Sequence, residues 1–347
     1  MLPTRGYATH KPTSQLEPFS FERRDPKPSD IQIEILYCGV CHSDIHQARD
    51  EWGGSLYPMV PGHEIIGRIV SVGSAVTKFK PGDTAGVGVF VGACGSCVNC
   101  KAGEEQYCTV HLVPTYNGTE LDGKTLTFGG YSSQIVVDQK YALRIPASLP
   151  LPNAAPLLCA GITTYSPLRR FGAGPGKRVG VVGLGGLGHI AVKLAAAMGA
   201  EVTVFSTSKA KQKDAASLGA SHFVVTSDPD NLKPLASQFD LIVDTVSAPH
   251  DVNCFLNLLG KESALALVGL PETALAVDAF SLITNGRVFA GSMVGSMRKT
   301  QEMLDFCGQH NVSADIELIP IQKINEAYDR TVRGDVRYRF VIDMQSL

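Results

Sequence analysis

The sequence predicts a two-domain α/β protein, in which an antiparallel β-barrel is followed by a doubly wound parallel sheet. In the first part of the 347-residue chain, short strand candidates alternate with Gly and Pro turns, a pattern typical of a folded-over barrel. From about residue 155, apolar strand candidates alternate with helical stretches, and six such units predict a parallel sheet with helices on both faces. Past about residue 297 this alternation ends.

The strand candidates set the expected order of elements along the chain. For the barrel they include residues 31–36 and 65–72, with a turn at 81–83. The segment from 109 to 130 is the longest irregular candidate. For the parallel sheet the candidates are residues 179–182, 202–205, 223–226, 241–244, 264–268 and 288–291.

Composition restricts the classes of function. The 31 Lys and Arg residues nearly balance the 33 Asp and Glu residues, so no broad basic field would attract nucleic acid. No apolar run is long enough to span a bilayer, and nothing at the N-terminus resembles a signal peptide. We therefore expect a soluble cytoplasmic protein that does not bind membranes, with its nine cysteines in a reducing compartment.

Four cysteines lie close together in a Gly-rich stretch with the spacing C-x2-C-x2-C-x7-C. This spacing predicts a structural zinc site, because four thiolates suit a tetrahedral metal and leave no position open for substrate. A disulfide pair and four unrelated thiols are the alternatives. The predicted ligands are Cys94, Cys97, Cys100 and Cys108.

A Gly-rich turn follows the first strand candidate of the parallel sheet and precedes an amphipathic helix. Strand, glycine turn and helix N-terminus together place backbone N–H groups against a pyrophosphate, so this context predicts a dinucleotide site. The alternative is a tight turn that binds nothing. The turn residues are Gly183, Leu184, Gly185, Gly186, Leu187 and Gly188.

The end of the next strand candidate indicates which dinucleotide binds. An NAD enzyme carries an acidic residue there, whereas this chain has Ser206, Thr207 and Ser208, with Lys211 following. Hydroxyl and ammonium groups can receive the 2′-phosphate of NADP, and a carboxylate would repel it. The run favours NADP; the alternative is that Ser208 caps the next helix and the lysines lie on its solvated face.

A further set of residues carries a family resemblance. Cys41 precedes Gly62, His63 and Glu64 by about 20 residues, the four-cysteine segment follows, and Cys159 lies shortly before the glycine turn. This order resembles the zinc-dependent medium-chain alcohol dehydrogenases over nearly the whole chain. The resemblance implies a GroES-like antiparallel β-barrel catalytic domain and a Rossmann domain with a doubly wound parallel sheet.

The resemblance sets the expected domain boundaries. It implies that residues 1–154 form the GroES-like domain and that residues 298–347 return to it. Residues 155–297 are then the Rossmann domain.

The resemblance also implies a second, catalytic zinc held by Cys41, His63 and Cys159, with one coordination position open for substrate. Taken alone, Cys159 would be a core residue and His63 a turn residue. Asp44 is expected to accept a hydrogen bond from the His63 imidazole. Glu64 is either an alternative ligand or a charge that never coordinates the metal.

The family passes the proton of the substrate hydroxyl to the surface, and Ser43 and His46 match the residues of this relay. The alternative for His46 is a solvated surface histidine. His42 is implied to lie near the cofactor pyrophosphate. The nicotinamide is implied to lie beside Thr163, Val268, Gly269 and Leu270.

The resemblance implies that Trp52, Met293 and Val294 line the substrate pocket; the alternative for Trp52 is a core or lid aromatic residue. Residues 129–132, 158–168 and 334–343 resemble the cinnamyl alcohol dehydrogenase branch, especially its bacterial NADP-dependent aldehyde reductases. The expected function is therefore zinc-dependent interconversion of primary alcohols and aldehydes, aromatic and medium-chain, by hydride transfer with NADP(H). Reduction of the aldehyde is the expected direction.

The expected assembly is a homodimer with two zinc ions per chain, formed through residues 288–291 at a sheet edge. Alternatives from other classes are a zinc-free NADPH quinone reductase, a cofactor-binding relative without catalysis, and a zinc-ribbon interaction protein. They leave Cys41, His63 and Cys159 without a role.

Overall fold

The computed structural model describes residues 1–271 and 273–347 and divides into two units. Unit 1 comprises Met1–Cys159 and Gly295–Leu347, and unit 2 comprises Ala160–Val294. The boundaries expected from the family resemblance follow residues 154 and 297. Within the described ranges, every helix is too short or too polar to cross a lipid bilayer.

The strands of the described residues follow one another in chain order. They are β1 (Leu2–Ala8), β2 (Glu17–Arg23), β3 (Asp30–Gly39), β4 (Ile65–Val72), β5 (Thr84–Val87), β6 (Phe90–Ala93), β7 (Leu112–Pro114), β8 (Gln134–Asp138), β9 (Leu143–Arg144), β10 (Arg178–Val182), β11 (Glu201–Ser206), β12 (His222–Val225), β13 (Phe239–Asp244), β14 (Leu259–Leu267), β15 (Val288–Gly291), β16 (Ile316–Pro320) and β17 (Arg339–Asp343).

The α-helices are interspersed with these strands, mostly in unit 2 and the C-terminal segment. They are α1 (His42–Ala48), α2 (Val98–Lys101), α3 (Leu151–Ala154), α4 (Ala160–Arg170), α5 (Gly188–Ala197), α6 (Gln212–Ser217), α7 (Asn253–Leu256), α8 (Ala279–Ile283), α9 (Met297–His310) and α10 (Ile324–Val332).

Unit 1 is organised around a seven-stranded sheet of order β16-β17-β3-β4-β5-β9, in which β8 also pairs with β3. The pairing is antiparallel except between β16 and β17, which are parallel. Two register shifts between β3 and β4 bend the sheet, as bulges do in barrels. Its core includes Ile31, Ile33 and Ile65, all fully buried.

Unit 2 contains a six-stranded, fully parallel sheet of order β12-β11-β10-β13-β14-β15. Its central strands are apolar on both faces, as parallel strands covered by helices must be. The adjacent residues Val181 and Val182, and likewise Val204 and Phe205, point to opposite faces and are all buried. The order reverses between β10 and β13, and in such sheets ligands bind beyond the carboxyl ends of the strands at this point. The predicted α/β fold class is confirmed.

The apolar pattern of the sequence predicted which segments form strands more accurately than it predicted where those strands begin and end. The strand predicted at 288–291 has those bounds, whereas β14 begins at Leu259 rather than at residue 264. The extension follows from a register shift in the β13–β14 pairing, where Glu262 adopts a positive φ of 57°. The segment from 109 to 130 also contains the short strand β7.

Candidate functional site

Unit 1 brings two thiols, an imidazole and a carboxylate together. One ligand atom each from Cys41, His63, Glu64 and Cys159 lies within 4.8 Å of all the others. The Sγ atoms of Cys41 and Cys159 are 4.0 Å apart, without a disulfide bond. Tetrahedral zinc with Zn–S bonds of about 2.3 Å has sulfur–sulfur edges of about 3.8 Å. The donor types and spacing therefore fit zinc.

A single buried carboxylate positions two of these candidate ligands. Asp44, in the first turn of α1 and fully buried, accepts a hydrogen bond from the backbone N–H of Cys41 at 2.9 Å. Its other oxygen lies 3.0 Å from Nδ1 of His63 and accepts from the Gly62 N–H at 3.1 Å. Because Nδ1 donates to Asp44, Nε2 of His63 carries the lone pair that a metal needs.

The turn that carries His63 is held by tight backbone packing. Gly62 has a φ of +106°, and a Cβ there would lie 2.8 Å from both Cys38 Sγ and the Tyr131 ring. The Gly130 N–H donates to Gly62 O at 2.8 Å, and the Tyr131 N–H donates to Pro61 O at 3.0 Å. The Tyr131 hydroxyl then donates to Asp44 at 3.2 Å. Only glycine suits residue 62 in this packing.

Arg339, the first residue of β17 near the C-terminus, belongs to this site although the sequence did not predict it. Its Nη2 contacts both Glu64 carboxylate oxygens, at 2.6 and 2.7 Å, and its Nε and Nη2 donate to Val40 O. Burial raises the pKa of Glu64, whereas the Arg339 guanidinium opposes this shift and favours the charged carboxylate. The sequence does contain a signal for burial of Arg339, because this arginine begins a mostly apolar strand candidate. A buried guanidinium requires acidic or carbonyl partners. Tyr116, whose ring stacks on His63 at 5.8 Å, gave no such signal.

The titration of Cys41 and His63 would couple metal binding to proton release. The hydrogen bond with the Cys159 thiol lowers the pKa of Cys41 well below its usual value. Burial disfavours the charged form of His63, but the Asp44 carboxylate raises the pKa of His63 well above its usual value. A raised pKa favours a proton on His63, and an imidazole that coordinates a metal must lose that proton.

The predicted relay residues lie on α1 beside these ligands. Ser43 Oγ is 3.6 Å from Cys41 Sγ. Nδ1 of His46 contacts the Glu51 carboxylate, and the ring stacks on Trp52 with centroids 4.8 Å apart. The side chain of Trp52 is 39% exposed, which does not fit a core residue. The exposed ring of His42 lies 6.0 Å from that of His46.

A second thiol cluster lies between β6 and β7. The Sγ atoms of Cys94 and Cys100 are 3.9 Å apart, those of Cys97 and Cys108 are 4.0 Å apart, and all four lie within 4.8 Å of one another. Hydrogen bonding from the Cys100 N–H lowers the pKa of Cys97 to about 5. Two backbone N–H groups, of Ser96 and Cys97, also approach Cys94 Sγ. Such bonds favour thiolates, so this cluster also fits zinc.

In unit 2, the Gly-rich turn occupies the carboxyl end of β10. Gly183 has a φ of +88°, and a Cβ on Gly188 would lie 2.1 Å from Gly183 O, so the turn closes directly onto α5. A Cβ on Gly185 would meet no atom within 4 Å. Space above Gly185 and a helix N-terminus beside it fit a pyrophosphate.

The serine run and the lysine reach the same edge of the sheet. Ser206 ends β11, next to β10, and its Oγ accepts a hydrogen bond from the Ser208 N–H at 3.2 Å. Ser208 makes no side-chain capping bond, and Thr207 is exposed. Lys211 Nζ donates to Leu184 O at 2.9 Å, which ties the lysine to the glycine turn.

The remaining predicted residues lie in different places. Thr163 is buried in α4, while Val268, Gly269 and Leu270 directly follow β14. The N–H groups of Val268 and Gly269 donate to Asp244 O. Met293, 48% exposed, and Val294 follow β15 in unit 2, whereas Trp52 belongs to unit 1. The pocket formed by Trp52, Met293 and Val294 stays a prediction.

The comparisons with known proteins agree with this geometry. Residues 27–147 match the alcohol dehydrogenase GroES-like domain family, and residues 186–309 match the zinc-binding dehydrogenase family. The chain belongs to the zinc-dependent medium-chain alcohol dehydrogenases, which confirms the predicted family. Like them, it is an oxidoreductase.

Individual relatives of this alcohol dehydrogenase align over nearly its whole length. NADP-dependent alcohol dehydrogenase C 1 of Mycolicibacterium smegmatis is 56% identical over 100% of this chain and 99% of its own. Aldehyde reductase YahK of Escherichia coli is 52% identical over 99% and 97%. The structure of a cinnamyl alcohol dehydrogenase from Sorghum bicolor superposes with a TM-score of 0.96 at 47% identity, covering 99% and 98%. The predicted cinnamyl alcohol dehydrogenase-like branch is confirmed.

Two glycine substitutions should separate stability from ligand binding at the dinucleotide turn. Gly188→Ala should lower the free energy of unfolding by about 1–3 kcal/mol, because its Cβ overlaps Gly183 O. Gly185→Ala should leave stability nearly unchanged but weaken dinucleotide binding, because its Cβ enters the space open to the pyrophosphate. Thermal unfolding and calorimetric titration measure the two effects. Equal NADPH affinity of Gly185→Ala and the unaltered protein would contradict this assignment.

Proposed function

We propose that the protein is an NADPH-dependent aldehyde reductase with one catalytic and one structural zinc ion per chain. The observation that supports the proposal is the Cys41, His63 and Cys159 donor set, which would give a metal three ligands and leave a fourth position for substrate. The names of the relatives, NADP-dependent alcohol dehydrogenase and aldehyde reductase, support the cofactor and the reaction. A panel of aliphatic and aromatic aldehydes assayed with NADPH and with NADH tests it.

The bound groups and the chain would have separate roles. Zinc supplies Lewis-acid polarisation of the substrate oxygen, and NADPH supplies the hydride. Cys41, His63 and Cys159 would hold the metal, and Asp44 would fix the His63 tautomer. Ser43 Oγ would exchange a proton with the substrate oxygen, and His46 would exchange it with solvent.

We also propose that Glu64 stays paired with Arg339 instead of acting as a regular zinc ligand. Both Glu64 oxygens already contact Arg339 Nη2, at 2.6 and 2.7 Å. Its carboxylate would then balance the buried guanidinium near the thiolates, which is a structural and electrostatic role. The Cys94, Cys97, Cys100 and Cys108 set would hold the closed, structural zinc.

For the substrate pocket we propose Trp52, Met293 and Val294, and for the nicotinamide Thr163 with the backbone of Val268 to Leu270. Aromatic and medium-chain aldehydes suit an apolar lining of this kind. His42 would lie near the pyrophosphate. A cytoplasmic location completes the proposal, because six cysteines proposed as zinc ligands stay reduced there.

Metal analysis should find two zinc ions per chain, one exchangeable and one inert. Cys41→Ser or Cys159→Ser should remove the exchangeable ion and turnover while the chain stays folded. Cys97→Ser should instead lower the stability of unit 1, because structural zinc contributes folding free energy. Cys254→Ser, outside both clusters, serves as the matched control and should keep both ions. One zinc ion per chain in fully active enzyme would contradict the assignment.

Substitutions on α1 test the proton relay. Ser43→Ala should lower the rate of alcohol oxidation by about 100-fold with zinc still bound, because the group that accepts the hydroxyl proton is lost. Ser43→Thr retains the hydroxyl and should retain much of the rate. His46→Gln should have a smaller effect near neutral pH and a larger one at lower pH. An unchanged rate in Ser43→Ala would place the proton path elsewhere.

The cofactor preference can be tested at the end of β11. Ser206→Asp should lower kcat/KM for NADPH by about 100-fold, through repulsion of the 2′-phosphate, and raise it for NADH. Lys211→Ala should weaken NADPH use more mildly and leave NADH nearly unaffected. Ser221→Asp makes the same charge change at the amino end of β12 and serves as control. A wild type that prefers NADH would contradict the NADP proposal.

The proposed homodimer uses the outer edge of the parallel sheet. β15 has only one partner strand among the described residues, and its first residue Val288 is 41% exposed. Phe280 and Ile283, on the helix α8 that precedes β15 in the chain, are 76% and 72% exposed. Phe280→Asp combined with Ile283→Asp should shift the mass measured by light scattering from dimer to monomer. Val332→Asp, at a 52% exposed valine on α10, should leave the mass unchanged. A monomeric wild type would rule out this interface.

A further inference from the structure

A buried carboxylate in unit 2 has no part in the function proposed so far. Asp244 ends β13 and is fully buried. One carboxylate oxygen accepts the Val246 N–H at 3.1 Å, and the other lies 2.7 Å from Nε2 of His250. Asp244 therefore binds both ends of the short loop of residues 245–249.

His250 faces a hydrogen-bond acceptor on each side of its ring. Nε2 meets the Asp244 carboxylate, and Nδ1 lies 2.9 Å from Ala248 O. A neutral imidazole has one N–H and satisfies only one of these acceptors, whereas the imidazolium donates to both. The side chain is only 15% exposed, and the Phe255 ring packs against it edge-on at 6.2 Å.

The loop closed by this pair lies against the dinucleotide turn. Thr245 Oγ1 donates to Val182 O at 2.7 Å, and a Cβ on Gly183 would lie 2.9 Å from the Val246 side chain. On its other side, a Cβ on Gly269 would lie 2.3 Å from Val246 O. The loop thus fills the space between the glycine turn and residues 268–270, at the point where the strand order reverses.

We propose that Asp244 and His250 form an ionic clamp that holds residues 245–249 as one wall of the dinucleotide crevice. His250 is a positioning residue: it acts on NADP(H) affinity through the loop and not by direct contact. The inference rests on the proposed use of NADP(H).

The clamp makes dinucleotide binding dependent on pH. The hydrogen bond to Asp244 raises the pKa of His250, so below this pKa both bonds to the ring are present. As the pH rises through it, one donor is lost, the loop loosens, and affinity falls. The titratable neighbours of His250 are Asp244 on β13, Asp251 just before α7 and Cys254 in α7. Burial raises the pKa of Cys254 to about 11, so its thiol stays neutral near the pKa of His250.

Calorimetric titration of the zinc-loaded protein with NADP⁺ and NADPH, between about pH 6 and pH 9, tests the clamp. The wild-type Kd should rise about tenfold over this range. His250→Gln retains one donor towards Asp244 but cannot titrate. The Kd of this variant should therefore lose the pH dependence that His250 causes. His250→Leu should bind about tenfold more weakly than wild type at the low end of the range. The 2′-phosphate titrates equally in every variant, so the difference between variants reports His250.

A matched histidine–carboxylate pair in the same unit provides the control. His222 Nε2 lies 2.7 Å from Glu201, at the amino ends of β12 and β11, away from the crevice edge. His222→Gln should keep the wild-type Kd at every pH. A His250→Gln variant that keeps the wild-type pH profile would overturn the clamp, even if His250→Leu failed to fold. Wild-type protein that binds neither dinucleotide would instead overturn the proposed function, and the clamp with it.

Discussion

The buried carboxylate of Asp44 is the interaction on which the thiol–imidazole centre depends. It receives hydrogen bonds from the Cys41 and Gly62 backbones, the His63 ring and the Tyr131 hydroxyl. A buried charge is tolerated only when such donors compensate its lost hydration, so the partners are obligatory. Because they come from α1, the turn before β4 and the segment before β8, one charge fixes the relative positions of three distant segments.

The same centre depends on the last strand of the chain. β17 pairs with β3, and this pairing carries Arg339 to the Val40 carbonyl and the Glu64 carboxylate. Glu64 and Arg339 are 275 residues apart in sequence. Removing either partner would leave the other charge buried and uncompensated, which costs more than the net contribution of the pair. The C-terminal segment therefore contributes to the buried surroundings of the Cys41, His63 and Cys159 set.

Local patterns in the sequence located many of the elements and the four-cysteine set, whereas Cys41, His63 and Cys159, and the hydrogen bond between Asp44 and His63, followed from the family resemblance. Apolar periodicity located β15 with its observed bounds, and cysteine spacing selected the residues that form the four-thiol cluster. Nothing local marks Arg339 as the partner of Glu64, because that pair depends on the pairing of β17 with β3. Asp244 and His250 are only six residues apart, and their contact depends on how the loop between them folds. The parallel pairing of β16 with β17 also depends on tertiary packing.

Both units use a fully buried aspartate, bonded to a backbone N–H and to a histidine, to fix a turn. What differs is the second ring nitrogen. In His63 it faces the thiols, where a bound metal would replace the proton and hold the ring neutral. In His250 it faces the Ala248 carbonyl, which can only accept, so the ring must carry a charge to satisfy both partners. The same pair of residue types thus favours a metal ligand in one unit and a titrating clamp in the other.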